Sequence, residues 1–232
     1  MNQTPEQGQY IDKTKVSTHP LWPLEQCWIG FILPRVPKYL NTVNLTLATI
    51  LWSGLLILFG RFGHQHTYWL WAVSGLIIAQ YFTDSLDGAI GRYRRNGLVK
   101  WGHYMDHLLD FVFLCAIIIS YQYLLPQYSQ WFIVLFGLLG SLMISSYLMF
   151  GMTNKFQMSY GQIGMIEFRI GVIIINALII FIGPGFLRWL LPFMSLVIFF
   201  LLIWGVYRAQ GVARQMDLEN KRISTDRQLQ DQ

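Results

Sequence analysis

Apolar positions in this chain come in blocks long enough to cross a bilayer, separated by short polar joints. The blocks fall near residues 43–60, 68–92, 104–125, 130–150, 167–183 and 186–207. A helix needs about 18–20 mostly apolar residues to span hydrocarbon, and several of these blocks reach that length. Two blocks are composite. The second is apolar from Tyr68 to Tyr81 and then runs at helical spacing into a polar end, while the third starts polar and turns apolar after Asp110. The two polar ends face each other across the joint at 93–101, which predicts a helical hairpin with one polar end.

Residues 1–19 are polar. Pro20, Pro23, Pro34 and Pro37 then bracket Leu24 to Leu33, a stretch carrying Trp28, Ile29, Phe31 and Ile32 with the single acid Glu25. That pattern predicts a short helix lying in the membrane interface, or a lead-in that packs on the bundle. From Arg208 onward the chain is charged and helical in pattern, then polar. The organisation expected is an N-terminal segment (1–40) with an interfacial helix, a membrane domain (41–207) and a tail (208–232). The fold class is all-α: a polytopic bundle of six transmembrane helices.

Composition agrees with this class. Hydrophobic residues make up 54% and charged residues 12%, about half the ~25% charged content of soluble domains. The net charge of +5 does not point to nucleic acid, because Lys and Arg gather in the terminal segments and in alternate joints. Six spans put both termini on one side, and every Lys and Arg except Arg61 and Arg188 falls on that side. The positive-inside rule makes it the cytoplasmic one. Cys27 and Cys115 lie far apart, with neither metal-ligand spacing nor a disulfide framework. No cleavable signal pattern opens the chain.

Between residues 41 and 207 the acidic side chains are Asp84, Asp87, Asp106, Asp110 and Glu167 alone. A carboxylate in or near hydrocarbon costs a few kcal/mol or more, so acids there point to function. Asp84 and Asp87 are three residues apart and share a helix face; Asp106 and Asp110, four apart, share another. Closing the hairpin brings the four carboxylates together. Such a cluster repels itself unless cations intervene, and hard divalent ions with oxygen ligands, Mg²⁺ or Mn²⁺, are expected. Gly88, Gly91 and Gly102 leave space beside the acids, and Arg92 suits a phosphate.

In full, the stretch reads Asp84-Ser-Leu-Asp87-Gly88-Ala-Ile-Gly91-Arg92, then residues 93–101, then Gly102-x-x-x-Asp106-x-x-x-Asp110. It resembles the signature of the CDP-alcohol phosphotransferase (CDP-alcohol phosphatidyltransferase) family, D-x-x-D-G-x-x-A-R, a spacer, and G-x-x-x-D-x-x-x-D. The one departure is Gly91 where that family usually has Ala. The resemblance implies six core transmembrane helices, a homodimer, and two Mg²⁺ or Mn²⁺ ions held by Asp84, Asp87, Asp106 and part of Asp110. It also implies that Asp110 deprotonates an acceptor hydroxyl, which displaces CMP from a CDP-alcohol donor. By the same resemblance Gly88 and Gly102 admit the nucleotide and Arg92 contacts the donor.

The resemblance bears on substrates too. Asn41, in Leu40-Asn41-Thr42-Val43-Asn44, is similar to an asparagine that often precedes the family's first helix; it either contacts the cytidine or caps that helix. His107 directly follows Asp106, as in the choline and ethanolamine branch, where a histidine takes part as base; alternatively it hydrogen-bonds locally. Gly161-Gln-Ile-Gly164-Met-Ile-Glu167-Phe-Arg169 is similar to that branch's glycine-and-glutamate element, which makes Glu167 and Arg169 candidate substrate contacts. Length and span count favour CDP-diacylglycerol as donor, with a CDP-amino alcohol and diacylglycerol as the alternative. The partners implied are the donor, a hydroxyl acceptor and membrane lipids.

Other residues have ordinary roles. Trp69, Trp71, Trp131 and Trp204 suit an aromatic belt. His64, His66 and His103 read as joint histidines. A membrane prenyltransferase would carry its two acidic motifs far apart rather than on one hairpin. A cation transporter would place acids near mid-membrane, not beside Arg92, Arg94 and Arg95.

Overall fold

The computed structural model describes residues 22–64, 66–94, 98–153 and 165–230. Within them every regular element is helical: α1 (Trp22–Ile32), α2 (Thr42–Gly63), α3 (Trp69–Arg94), α4 (Val99–Leu124), α5 (Ser129–Thr153), α6 (Met165–Ile182) and α7 (Leu187–Gln230). The polar lead at 1–19, Arg95, Lys155 and the Gly161–Gly164 element lie outside the described residues.

The joints follow from their prolines. Pro34, Pro126 and Pro184 each open a single 3-10 turn, where a missing N–H removes no helical bond. Gly183 precedes the last of these with φ +80°, a conformation that glycine adopts without a Cβ clash. Its N–H closes α6 on the carbonyl of Ile179.

Four helical stretches are long and apolar enough to cross a membrane: 42–63, 100–124, 126–153 and 184–222. The apolar part of α3 gives way to the segment bearing Asp84 and Asp87, and α6 offers the shorter apolar run Phe168–Ile182. α7 has 44 residues, a length of roughly 66 Å at 1.5 Å per residue. It therefore outruns a ~30 Å hydrocarbon layer, and the charged tail continues the same helix.

α2 packs along both α3 and α4, α6 packs on α3, and α5 contacts α4 and α7. The two acid-bearing helices thus share α2 as their main partner rather than forming a closely packed pair. Small residues on α2 make this close approach feasible: Thr46, Thr49, Ser53, Gly60 and Gly63 are all buried. A Cβ at Gly60 would run into Ser120 of α4, and one at Gly63 into Leu124.

The apolar core gathers Leu56, Leu70, Val73, Ile77, Phe113, Ile117, Phe132, Ile179, Leu187 and Leu191. These residues come from the later parts of α2, α4 and α6 and the early parts of α3, α5 and α7, so the core fills the end of the bundle opposite the acids. One polar thread crosses it. Asn176 donates to Ser74 at 2.9 Å, and the Tyr121 hydroxyl donates to the Asn176 carbonyl oxygen. Outside the core, α5 and α7 leave Ile133, Ile144, Leu148, Phe193 and Phe200 exposed, apolar faces suited to lipid.

Candidate active site

Arg169 of α6 draws the two acid pairs into one site. Its guanidinium lies 3.0 Å from Asp84 Oδ2 and 3.7 Å from Asp110 Oδ1. The Asp84, Asp87 and Asp106 carboxylates lie within electrostatic reach of one another. Arg169 is itself buried, at 9% side-chain exposure, as is Asp110 at 7%. One guanidinium cannot balance four carboxylates if all are ionised, so full ionisation of the cluster requires further cations.

Asp87 is anchored from α2. Thr46 Oγ1 donates to its carboxylate at 2.7 Å, and Thr42 Oγ1 donates to its main-chain carbonyl at 3.1 Å. A hydroxyl bond to a carboxylate fixes its rotamer and is among the stronger hydrogen bonds. Nothing along the chain marks Thr46 for this role, because threonines four apart also fit an ordinary helix interior.

On α4, His107 Nδ1 lies 3.5 Å from Asp106 Oδ2. The imidazole stacks parallel on Tyr147 of α5, with centroids 5.1 Å apart and planes at 4°. His103 meets its edge at 4.2 Å. The Tyr147 hydroxyl donates to the His107 main-chain carbonyl at 3.0 Å. Asp106, His107 and Asp110 each offer a ligand atom, and the three atoms lie within 4.8 Å of one another. Donors about 2.0–2.2 Å from one ion stand at most ~4.4 Å apart. A small inward adjustment therefore lets this set hold a divalent cation.

The remaining predicted residues divide into two groups. Arg92 is exposed and folds back over Gly88, so a Cβ at Gly88 would lie 3.2 Å from its Nη1. Gly102 faces open space, with no atom within 4 Å of an added Cβ. Asn41 stands at the α2 N-cap position with an exposed side chain that makes no capping bond. Glu167 is on α6, but its side chain lies outside the described residues. Arg94 is committed elsewhere: its guanidinium donates to the main-chain carbonyls of Val36, Pro37 and Leu40. It therefore straps the segment before α2 to α3 instead of offering its charge to a phosphate.

Beside Arg169, a cavity of about 220 Å³ opens between α1, α3 and α6, walled by Trp28, Ile77, Tyr81, Ile170 and Ile173. α1 is held there by Trp28, whose ring meets Tyr81 and Phe82 edge-on.

Lipid-facing helices around a cluster of carboxylates define an integral membrane protein with a polar site. The chain matches the CDP-alcohol phosphatidyltransferase family over residues 35–206 and belongs to it. It is thus a transferase of phosphate-containing groups in phospholipid synthesis. The match runs from the segment strapped by Arg94 to the apolar part of α7, and all four aspartates fall inside it. Comparison with curated proteins and with solved structures gives no match.

Proposed function

We propose that this protein transfers a phosphatidyl group from CDP-diacylglycerol to an acceptor hydroxyl, releasing CMP, with a divalent metal requirement. The observation that supports this reading is Arg169 spanning Asp84 and Asp110, one residue from each half of the acidic motif. Asp84, Asp87, Asp106 and Asp110 would hold two Mg²⁺ or Mn²⁺ ions. Bound there, the ions would neutralise the pyrophosphate of the donor and the charge that develops on it. Arg92, solvent-exposed above Gly88, binds donor phosphate; Gly102 leaves room for the nucleotide, and Asn41 contacts the cytidine. Asp110 takes the proton of the acceptor hydroxyl on a carboxylate oxygen. The acceptor oxygen bonds to the lipid-side phosphorus, and the bond from that phosphorus to CMP breaks. The apolar wall of the cavity beside Arg169 suits the acyl part of a lipid substrate.

Around this site we place six spans, adding α3 and α6 to the four long apolar helices, with α1 in the interface. Segments 1–40 and 208–232 flank the membrane domain, and the termini and acids face the cytoplasm. The working unit is a homodimer, as the family resemblance implies. A second reading is favoured by His107: its imidazole is held beside Asp106, in the place of the choline and ethanolamine branch's histidine. In that reading a CDP-amino alcohol is the donor, diacylglycerol the acceptor, and Glu167 meets the amine.

The test is CMP release by purified protein in nanodiscs with CDP-diacylglycerol, CDP-choline or CDP-ethanolamine against a panel of hydroxyl acceptors. CMP release with CDP-diacylglycerol that stops in chelator and returns with Mg²⁺ or Mn²⁺ supports the proposal. Full turnover in excess chelator would sink the metal requirement, and release from a CDP-amino alcohol alone would favour the second reading.

A further inference from the structure

One part of the acid site differs in donor chemistry from the rest. Asp84 pairs with Arg169 and Asp87 accepts from the Thr46 hydroxyl, whereas Asp106 and Asp110, the latter also 3.7 Å from Arg169, share their turn of α4 with an imidazole. We propose that His107 is a direct ligand, with Asp106 and Asp110, of one divalent ion, and that this mixed set selects a first-row transition ion over Mg²⁺. The inference rests on the metal-dependent reading above and adds a ligand and an ion preference to it.

Geometry supports the assignment. Along a helix His107 starts 100° round from Asp106, yet its Nδ1 reaches 3.5 Å from the Asp106 carboxylate. The two side chains therefore lean toward each other. His107 and Asp110 are three residues apart and share a face. The ligand atoms of all three close to within 4.8 Å.

The ring is also fixed before any ion arrives. Tyr147 lies parallel to one face and His103 abuts its edge, while Phe150 backs His103 at 4.5 Å. A ligand side chain whose rotamer is locked by packing of this kind holds a metal in a better-defined geometry. Side-chain exposure falls from 34% at Asp106 to 14% at His107 and 7% at Asp110, so an ion can enter past Asp106 and seat against the other two.

Chemistry then decides the ion. Mg²⁺ prefers an all-oxygen octahedron and gives up water reluctantly. An imidazole in the set favours first-row transition ions. Among them Mn²⁺ also tolerates two carboxylates, and its unpaired electrons make it the probe.

The experiment is pulsed electron paramagnetic resonance on the full-length protein in nanodiscs, titrated with Mn²⁺. Bound Mn²⁺ should show electron-spin-echo modulation from a directly coordinated ¹⁴N. In His107→Ala the modulation should vanish, with Mn²⁺ still bound about tenfold more weakly and the preference for Mn²⁺ over Mg²⁺ reduced. His107→Gln, which keeps an oxygen donor and similar bulk, gives the same reading if the alanine variant does not fold. Bound Mn²⁺ without nitrogen coupling overturns this inference and leaves the metal-dependent reading standing. Unchanged coupling in both variants overturns it too, by placing the nitrogen elsewhere. If no Mn²⁺ binds at all, both fall.

Discussion

The guanidinium of Arg169 lies 3.0 Å from the carboxylate of Asp84, joining α6 to the end of α3 that the apolar core does not reach. Both groups are taken largely out of water, and each would carry a large desolvation penalty alone. The pair is therefore a conditional arrangement. It lowers the charge of an acid cluster whose other countercharge, in the proposed reading, is metal.

That dependence gives the first prediction. Removing one member of a buried pair costs about 3–5 kcal/mol, because the other charge is left unpaired. Arg169→Met should lower the thermal midpoint markedly in chelator and recover much of it in Mn²⁺, which can take over the countercharge. The midpoint would be read for wild type and variant with and without the ion. An equal drop under both conditions would mean that Arg169 and the ion do not share these carboxylates.

Asp87 supplies the second. Hydrogen bonds to charged groups contribute about 1.5–3 kcal/mol, and Thr46 makes one at 2.7 Å. Thr46→Val keeps the shape and removes the donor, so Mn²⁺ affinity should fall about tenfold or more. Thr46→Ser should restore most of it. Isothermal titration of both variants decides this; a Val variant with wild-type affinity would limit Thr46 to packing.

Much of this site could be read from the chain, for a definite physical reason. Acids are scarce in apolar segments, so the spacing of Asp84, Asp87, Asp106 and Asp110 stands out against a nearly uncharged background. The apolar runs of α2, α4, α5 and α7 are visible because length and composition alone define them. Long-range pairings are harder. Arg169 was a visible candidate, but nothing along the chain pairs it with Asp84. Tyr147 sits in an apolar helix where a tyrosine carries no signal, and only the fold brings it over His107. Arg94 misleads in the opposite sense: an arginine near Arg92 looks like a phosphate contact until its carbonyl partners are seen.

Gln80 gives a third prediction, one that separates stability from function. It is fully buried, and neither amide atom has a hydrogen-bond partner among the described residues. A buried unsatisfied polar group costs about 1–3 kcal/mol. Gln80→Met, of similar length, should therefore raise the thermal midpoint by several degrees while turnover stays near wild type. A lower midpoint would show that the amide is satisfied by a group such as buried water.

Gly102 carries the fourth. With no atom within 4 Å of an added Cβ, a larger side chain has room in the protein itself. Gly102→Leu should fold and melt like wild type yet bind the CDP-alcohol donor far more weakly, because in the proposed reading it fills the space that the nucleotide takes. Unchanged donor affinity in the folded variant would leave the glycine with a purely local role in starting α4.

The last prediction separates Asp110 from its neighbour. Asp110 is buried beside Arg169, one turn beyond Asp106, and in the proposed reading its carboxylate meets both an ion and the acceptor hydroxyl. Asp110→Asn keeps the shape and an oxygen ligand but loses the basic oxygen, so turnover should fall by several orders of magnitude while donor binding is largely retained. His107 has a different task if it ligates the ion. His107→Ala should raise the Mn²⁺ concentration needed for half-maximal rate and lower kcat only moderately once the ion is saturating. A base cannot be replaced by more metal, whereas a ligand in part can. Turnover measured across a Mn²⁺ titration for wild type and both variants therefore distinguishes the roles. If His107→Ala stays as inactive as Asp110→Asn at saturating Mn²⁺, and Glu167→Gln selectively weakens an amino-alcohol substrate, His107 is the base and the choline and ethanolamine reading replaces the one proposed.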